Sequence, residues 1–196
     1  MFYASSAHFT ATRSYQLSSK NLTAPAAAAA APGRPAAPSH RTNHTSKQHS
    51  TLLCRDLSEL ASYAKVDNRQ FRLLKLATPG AYTFILEASK EVPRRLSHPQ
   101  RKTIGLRVPD HKVLQELLAI HGAPLLATTL IPAGETEPMN DAEEIRAQYE
   151  NALAAVVDAG ACPLQPTTVI DLTGMGDGGD PVVVREGRGS LSALGM

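Results

Sequence analysis

The side chains able to do chemistry are few, and none of them spells a familiar catalytic word. There is no Walker loop, no H-E-x-x-H, no G-x-S-x-G and no dinucleotide fingerprint. The run Gly174-Met175-Gly176-Asp177-Gly178-Gly179-Asp180 has the pliancy of a phosphate or Ca²⁺ loop. A strand pattern follows it rather than a helix, however, and the spaced acids and closing Glu of a calcium loop are missing, so it reads as a hairpin turn. Of seven histidines, His8, His40, His44 and His49 fall in the first 50 residues, and His98, His111 and His121 stand at no metal-ligand spacing from cysteine or acid. Cys54, between Leu53 and Arg55 on a strand pattern, reads as a small buried residue rather than a nucleophile. What does cluster is positive charge. Arg94, Arg95, Arg101, Lys102 and Arg107 lie on and beside one strand pattern, as either a phosphate-binding patch or a solvated basic face. No aromatic residue is interleaved with them, so if they meet nucleic acid a phosphate-led contact with a double-stranded backbone is the version to expect, not base stacking.

These residues need a frame to hold them. With 196 residues, 42% hydrophobic and 19% charged, the chain has the composition of a soluble globular protein with room for one or two domains, one being the better reading. Its longest apolar stretches, 124–131 and 152–157, are far shorter than the roughly 18 residues of a membrane helix. Two cysteines, Cys54 and Cys162, cannot make a disulfide scaffold, and a reducing, cytoplasmic setting fits. Charge divides the chain in three. Residues 1–50 hold five basic residues and no acid, with an Ala/Pro tract at 23–39; residues 51–110 hold eleven basic against six acidic; residues 111–196 hold four against twelve. The first segment has no apolar period and reads as a disordered leader, although an acid-free composition also suits a transit peptide.

From Thr51 onward the patterns alternate. A strand is expected at 51–55, then a helix carrying Leu57, Leu60 and Tyr63 behind an Asp56/Glu59 capping box. A second helix starts at Asp67 and stops before Pro79-Gly80. Strands follow at 81–86 and 102–108, then a helix capped by Asp110 and closed by Gly122. A strand at 124–130, a helix at 141–150 and a strand at 153–157 precede two strands, 167–172 and 181–186, joined by the Gly-rich turn. Seven strands and four helices in this mixed order predict an α+β (α/β-like) domain over 51–196, a twisted mixed β-sheet with flanking helices.

Five words in this segment, TLLCRDLSEL at 51–60, PGAYTFIL at 79–86, KTIGLRVP at 102–109, PTTVID at 166–171 and VVVREG at 182–187, resemble in order and spacing the YrdC/YciO family, closest to its YciO branch. The resemblance covers 51–196 and none of 1–47. It implies a YrdC-like fold, truncated at its N-terminal side, and threonylcarbamoyl-AMP synthase activity, a nucleotidyl transfer. L-threonine, bicarbonate and ATP with Mg²⁺ give threonylcarbamoyl-AMP and pyrophosphate, for modification of an adenosine of tRNA. The threonine carbamate itself attacks the α-phosphorus, so positioning and charge neutralisation replace a protein nucleophile.

Carried over by resemblance, Thr51 matches a hydroxyl near the threonine pocket, Arg107 the arginine of a G-x-R-V-P strand, and Thr128 and Thr129 the place of a Ser-x-Asn motif. Thr167 and Thr168 match the Pro-Ser-Thr-Val hydroxyls, and Arg185 the Arg-x-Gly arginine near the phosphates. Two departures follow. Leu130 and Ile131 stand where the asparagine amide would be, and a Lys-x-Arg motif that should precede Thr51 is not found. The resemblance therefore carries three expectations. Residues 1–47 come from a shifted reading frame or misplaced start, the chain as written turns over little or not at all, and a non-enzymatic RNA-binding module is the alternative on the same fold.

Overall fold

A computed structural model describes residues 2–5 and 8–11 as backbone, and residues 51–92, 100, 102–132, 134–153, 155–160 and 164–196. Every element expected after residue 50 forms. The strands are β3 (Thr51–Leu53), β4 (Tyr82–Glu87), β5 (Thr103–Arg107), β6 (Leu125–Thr128), β7 (Ala155–Val157), β8 (Thr168–Asp171) and β9 (Val182–Arg185). The helices are α1 (Leu57–Tyr63), α2 (Asn68–Ala77), α3 (Lys112–His121) and α4 (Ala142–Tyr149). The fold is α+β, with a mixed sheet flanked by helices.

Local chemistry sets the helix ends. The Asp56 carboxylate accepts the Glu59 N–H at 2.8 Å, while Glu59 reaches back to the N–H of Arg55 at 2.6 Å, one residue earlier than a standard capping box. In α2 the box is complete, with Asp67 capping Gln70 and the Gln70 amide oxygen accepting the Asp67 N–H at 2.8 Å. The cap expected at Asp110 moves by one: His111 is the N-cap of α3, its Nδ1 accepting the Leu114 N–H. An imidazole can replace a carboxylate here because only one acceptor atom is needed. Gly122, at φ 69°, closes α3 as expected, its N–H bonded to the Leu118 carbonyl.

Two further strands, β1 (Phe2–Ser5) and β2 (His8–Ala11), stand where the sequence reading placed no element. β1 pairs parallel with β6, and β2 pairs antiparallel with β1 and β7. Strand pairing uses main-chain N–H and C=O groups that any sequence offers, so a missing apolar period does not prevent it. The rest of the expected leader, 12–50, lies outside the described residues.

The sheet runs β7-β2-β1-β6-β3-β5-β4-β8-β9. One face carries Leu52, Cys54, Phe84, Leu86, Ile104, Leu106, Ile170 and Leu172, which pack with Leu60 of α1 and Leu74 of α2 into the main core. The Tyr82 and Phe84 rings stack there at 6.1 Å. Cys54 is fully enclosed in this core, as a structural cysteine should be. On the opposite face a smaller cluster joins Leu53, Leu125 and Ala127 to Leu118 of α3. Among the described residues, no helix is long and apolar enough to cross a membrane.

Candidate functional site

Side chains alternate along a strand, and paired residues on neighbouring strands share a face. The register therefore decides which candidate residues can meet. Thr51 pairs with Gly105 of β5 and Ala127 of β6, and Ile85 of β4 pairs with the same Gly105. Two residues on from Gly105, Arg107 ends β5 on that face, and two residues back from Ile85, Thr83 opens it on β4. Thr83 pairs with Val169, and Val169 pairs with Arg185 of β9. Thr167 lies two residues before Val169.

Thr51, Arg107, Thr83, Thr167 and Arg185 thus share the face opposite the main core, away from α1 and α2. Contacts tie them together. The Thr83 and Thr167 hydroxyl oxygens are 3.1 Å apart, and the Arg185 guanidinium donates to the Thr167 carbonyl from Nη2 at 3.0 Å and from Nε at 3.3 Å. Gly105 contributes no side chain between Thr51 and Ile85, so the floor is lowered beside the Thr51 hydroxyl. α3 walls the β3–β6 side of this face through Leu118, whereas over β5, β4, β8 and β9 the residues of this face are half-buried or exposed, apart from the buried Thr83. Arg107 and Arg185 stand three strand spacings apart, about 14 Å at the backbone. Side chains of that length can bracket a phosphate or carboxylate between them.

Thr128 and Thr168 fall on the other face, and both are buried. The Thr168 hydroxyl donates to the Gly189 carbonyl at 2.7 Å and accepts the Gly187 N–H at 2.9 Å. It ties the C-terminal segment down. Thr129 is exposed just past β6, and the following Leu130 is buried, so the position of the missing asparagine belongs to the core. Of the basic segment, Lys102 is exposed and sits at φ 53°, while Arg94, Arg95 and Arg101 lie outside the described residues.

Thr83 was not among the candidates, because inside PGAYTFIL it reads as an ordinary strand threonine. The signal was the period-two pattern: Tyr82, Phe84 and Leu86 point into the core, which leaves Thr83 on the open face. A cleft of about 530 Å³ lies elsewhere, lined by Arg55, Asp56, Glu59, Tyr63 and Glu91. Burial, followed by the charges of Glu59, Cys54 and Glu91, pushes the Tyr63 hydroxyl pKa up. This cleft is lined by three carboxylates, Asp56, Glu59 and Glu91, against one cation, Arg55, which disfavours a triphosphate, so the sheet face is the better candidate.

A family profile named Sua5_yciO_yrdC and described as "Telomere recombination" matches residues 40–187, beginning before Thr51. An uncharacterized protein of Haemophilus influenzae is 50% identical over 143 residues, spanning 72% of this chain and 67% of that protein. The uncharacterized protein YciO of Escherichia coli K12 is 50% identical over 141 residues, 72% of this chain and 66% of that one. A threonylcarbamoyl-AMP synthase of Yersinia enterocolitica is 32% identical over 97 residues, 49% of this chain and 50% of the synthase. The crystal structure of E. coli YciO superposes with a TM-score of 0.67 at 49% identity, covering 74% of this chain and 69% of that one. P. abyssi Sua5 complexed with L-threonine superposes at 0.60 with 22% identity, covering 70% and 39%, which shows likeness of fold. The chain spans about two thirds of the length of the curated relatives that it matches at 50% identity.

Proposed function

Because the chain belongs to the Sua5/YciO/YrdC family, we propose that it is a threonylcarbamoyl-AMP synthase-like protein that takes L-threonine, bicarbonate and ATP on the open face of its sheet. The observation that carries this reading is the shared face of Thr51, Arg107, Thr167 and Arg185. A relative's structure holds L-threonine, and other relatives are named for the synthase activity, which supports the substrate class.

The chemistry suits these groups. Threonine's amine takes up CO₂ from bicarbonate as a carbamate, a carbamate oxygen attacks the α-phosphorus, and pyrophosphate leaves. Attacking and leaving groups are both anionic, so the demand on the protein is to neutralise charge and hold two substrates in line. Arg107 and Arg185 supply the first, and the Thr51 and Thr167 hydroxyls the second. Among the described residues no group of three His, Cys, Asp or Glu is placed to cage a metal. In this reading magnesium comes in on the triphosphate oxygens, as part of the substrate, because a small hard cation suits phosphate oxygens. Contact with tRNA or double-stranded RNA is assigned to the basic segment that ends at Lys102.

Titration calorimetry with ATP·Mg²⁺ and with L-threonine tests the reading, followed by an assay for threonine-dependent pyrophosphate release. Binding of both ligands supports it. Binding of neither, with RNA still bound, leaves the RNA-binding module in its place.

A further inference from the structure

Thr83 is the most enclosed of the polar and charged side chains gathered on the open face, 8% exposed, whereas its partner Thr167 is half-buried and so nearer the solvent. Two hydroxyls 3.1 Å apart share one proton between them, and the other proton must point elsewhere. If Thr83 donates to the Thr167 oxygen, the Thr167 proton is left facing the opening between Arg107 and Arg185. A hydroxyl that both accepts and donates is polarised along that direction.

Resting on the reading above, we propose that Thr83 is a positioning residue: it fixes the rotor of Thr167, so that the Thr167 hydroxyl donates to a ligand oxyanion held between Arg107 and Arg185. Thr83 does not touch the ligand. The oxyanion is a phosphate oxygen of the nucleotide or the carboxylate of the amino acid, since a single hydroxyl donor meets an anionic oxygen in either. Removing the Thr83 hydroxyl leaves the Thr167 rotor free and adds the cost of fixing it to each binding event.

The test is a mutant cycle on the full chain with Thr83→Val, Thr83→Ser, Thr167→Val and the double valine variant, each titrated with ATP·Mg²⁺, inorganic pyrophosphate and L-threonine. Valine keeps the shape and strand preference of threonine, so the melting temperature serves as the control for folding. We expect Thr83→Val to weaken one ligand class by about tenfold. Thr83→Ser should stay within about threefold of wild type, and the double variant should bind no worse than Thr167→Val alone, because Thr83 acts through Thr167. Loss of ATP and pyrophosphate together identifies the phosphate, and loss of L-threonine identifies the carboxylate. Additive losses in the double variant, failure of serine to rescue, or wild-type binding by Thr83→Val while Thr167→Val loses it would each overturn the role of Thr83 and leave the site standing. Wild-type protein that binds none of the three overturns the site and the role together.

Discussion

Thr167 and Thr168 are neighbours in the chain and point to opposite faces of the sheet. The first hydroxyl lies 3.1 Å from that of Thr83 on the open face, and the second donates at 2.7 Å to the Gly189 carbonyl in the interior. A sequence word that offers both hydroxyls as substrate contacts thus splits into one candidate contact and one structural bond. Replacing each in turn by valine should separate the roles. Thr168→Val leaves the Gly187 N–H and the Gly189 carbonyl without that partner, and should cost about 1–3 kcal/mol in urea unfolding. Thr167→Val should unfold close to wild type and lose ligand affinity instead. The opposite pattern would mean that the open face is not the site.

Asp56 gives a pH-dependent prediction. Its carboxylate pKa is lowered, chiefly by the Glu59 N–H it accepts and to a lesser degree by the neighbouring Arg55. A lowered folded-state pKa contributes stability that is present above the unfolded value, near 4, and is lost as pH falls through the folded one. Asp56→Asn keeps an acceptor at the cap but cannot titrate. Urea midpoints of wild type and Asp56→Asn should therefore differ more at neutral pH than below pH about 3. A constant difference across that range would remove Asp56 from the acid sensitivity of the fold.

Much of this architecture was legible because local rules and tertiary packing agree in it. Asp56 and Asp67 start their helices, Gly122 ends one, and the apolar alternation of β4 and β8 matches the burial of Phe84 and Ile170. The cap of α3 moved to His111 because any nearby acceptor can serve, and composition does not choose among them. β1 and β2 could not be read, since pairing through the main chain leaves no periodic trace. For the candidate site, residue types single out hydroxyls and arginines word by word, but which hydroxyl faces which way depends on register, and register is set by strands far apart in sequence. Thr83 and Thr167 are 84 positions apart.

The crossing of β8 and the C-terminal segment predicts an intolerant glycine. A Cβ on Gly187 would stand 2.6 Å from the carbonyl carbon of Thr167 and 2.7 Å from its oxygen, both main-chain atoms that cannot swing aside. Gly174 has nothing within 4 Å of the same added atom. Gly187→Ala should therefore destabilise the fold by about 1–3 kcal/mol, as overpacking does, while Gly174→Ala should change the melting temperature little. The contrast matters for function because Gly187 holds the backbone between Arg185 and Thr168. Ligand affinity should fall in the first variant and persist in the second.

Arg185 supplies the sharpest separation of charge from fold. It is exposed, and its guanidinium spends two donors on the single carbonyl of Thr167, which aligns its planar fork over the open face. An exposed bond of this kind adds little to stability, so Arg185→Gln should melt within a few degrees of wild type. Nucleotide affinity should fall by about tenfold or more, because a phosphate loses a charge-assisted, two-pronged partner. Arg185→Lys should recover only part of it, since an ammonium restores the charge without the fork. Calorimetry at two salt concentrations checks the cause: the wild-type advantage over Arg185→Gln should shrink as ionic strength rises. An advantage that ignores salt would assign Arg185 to shaping the Thr167 backbone rather than to meeting the phosphate.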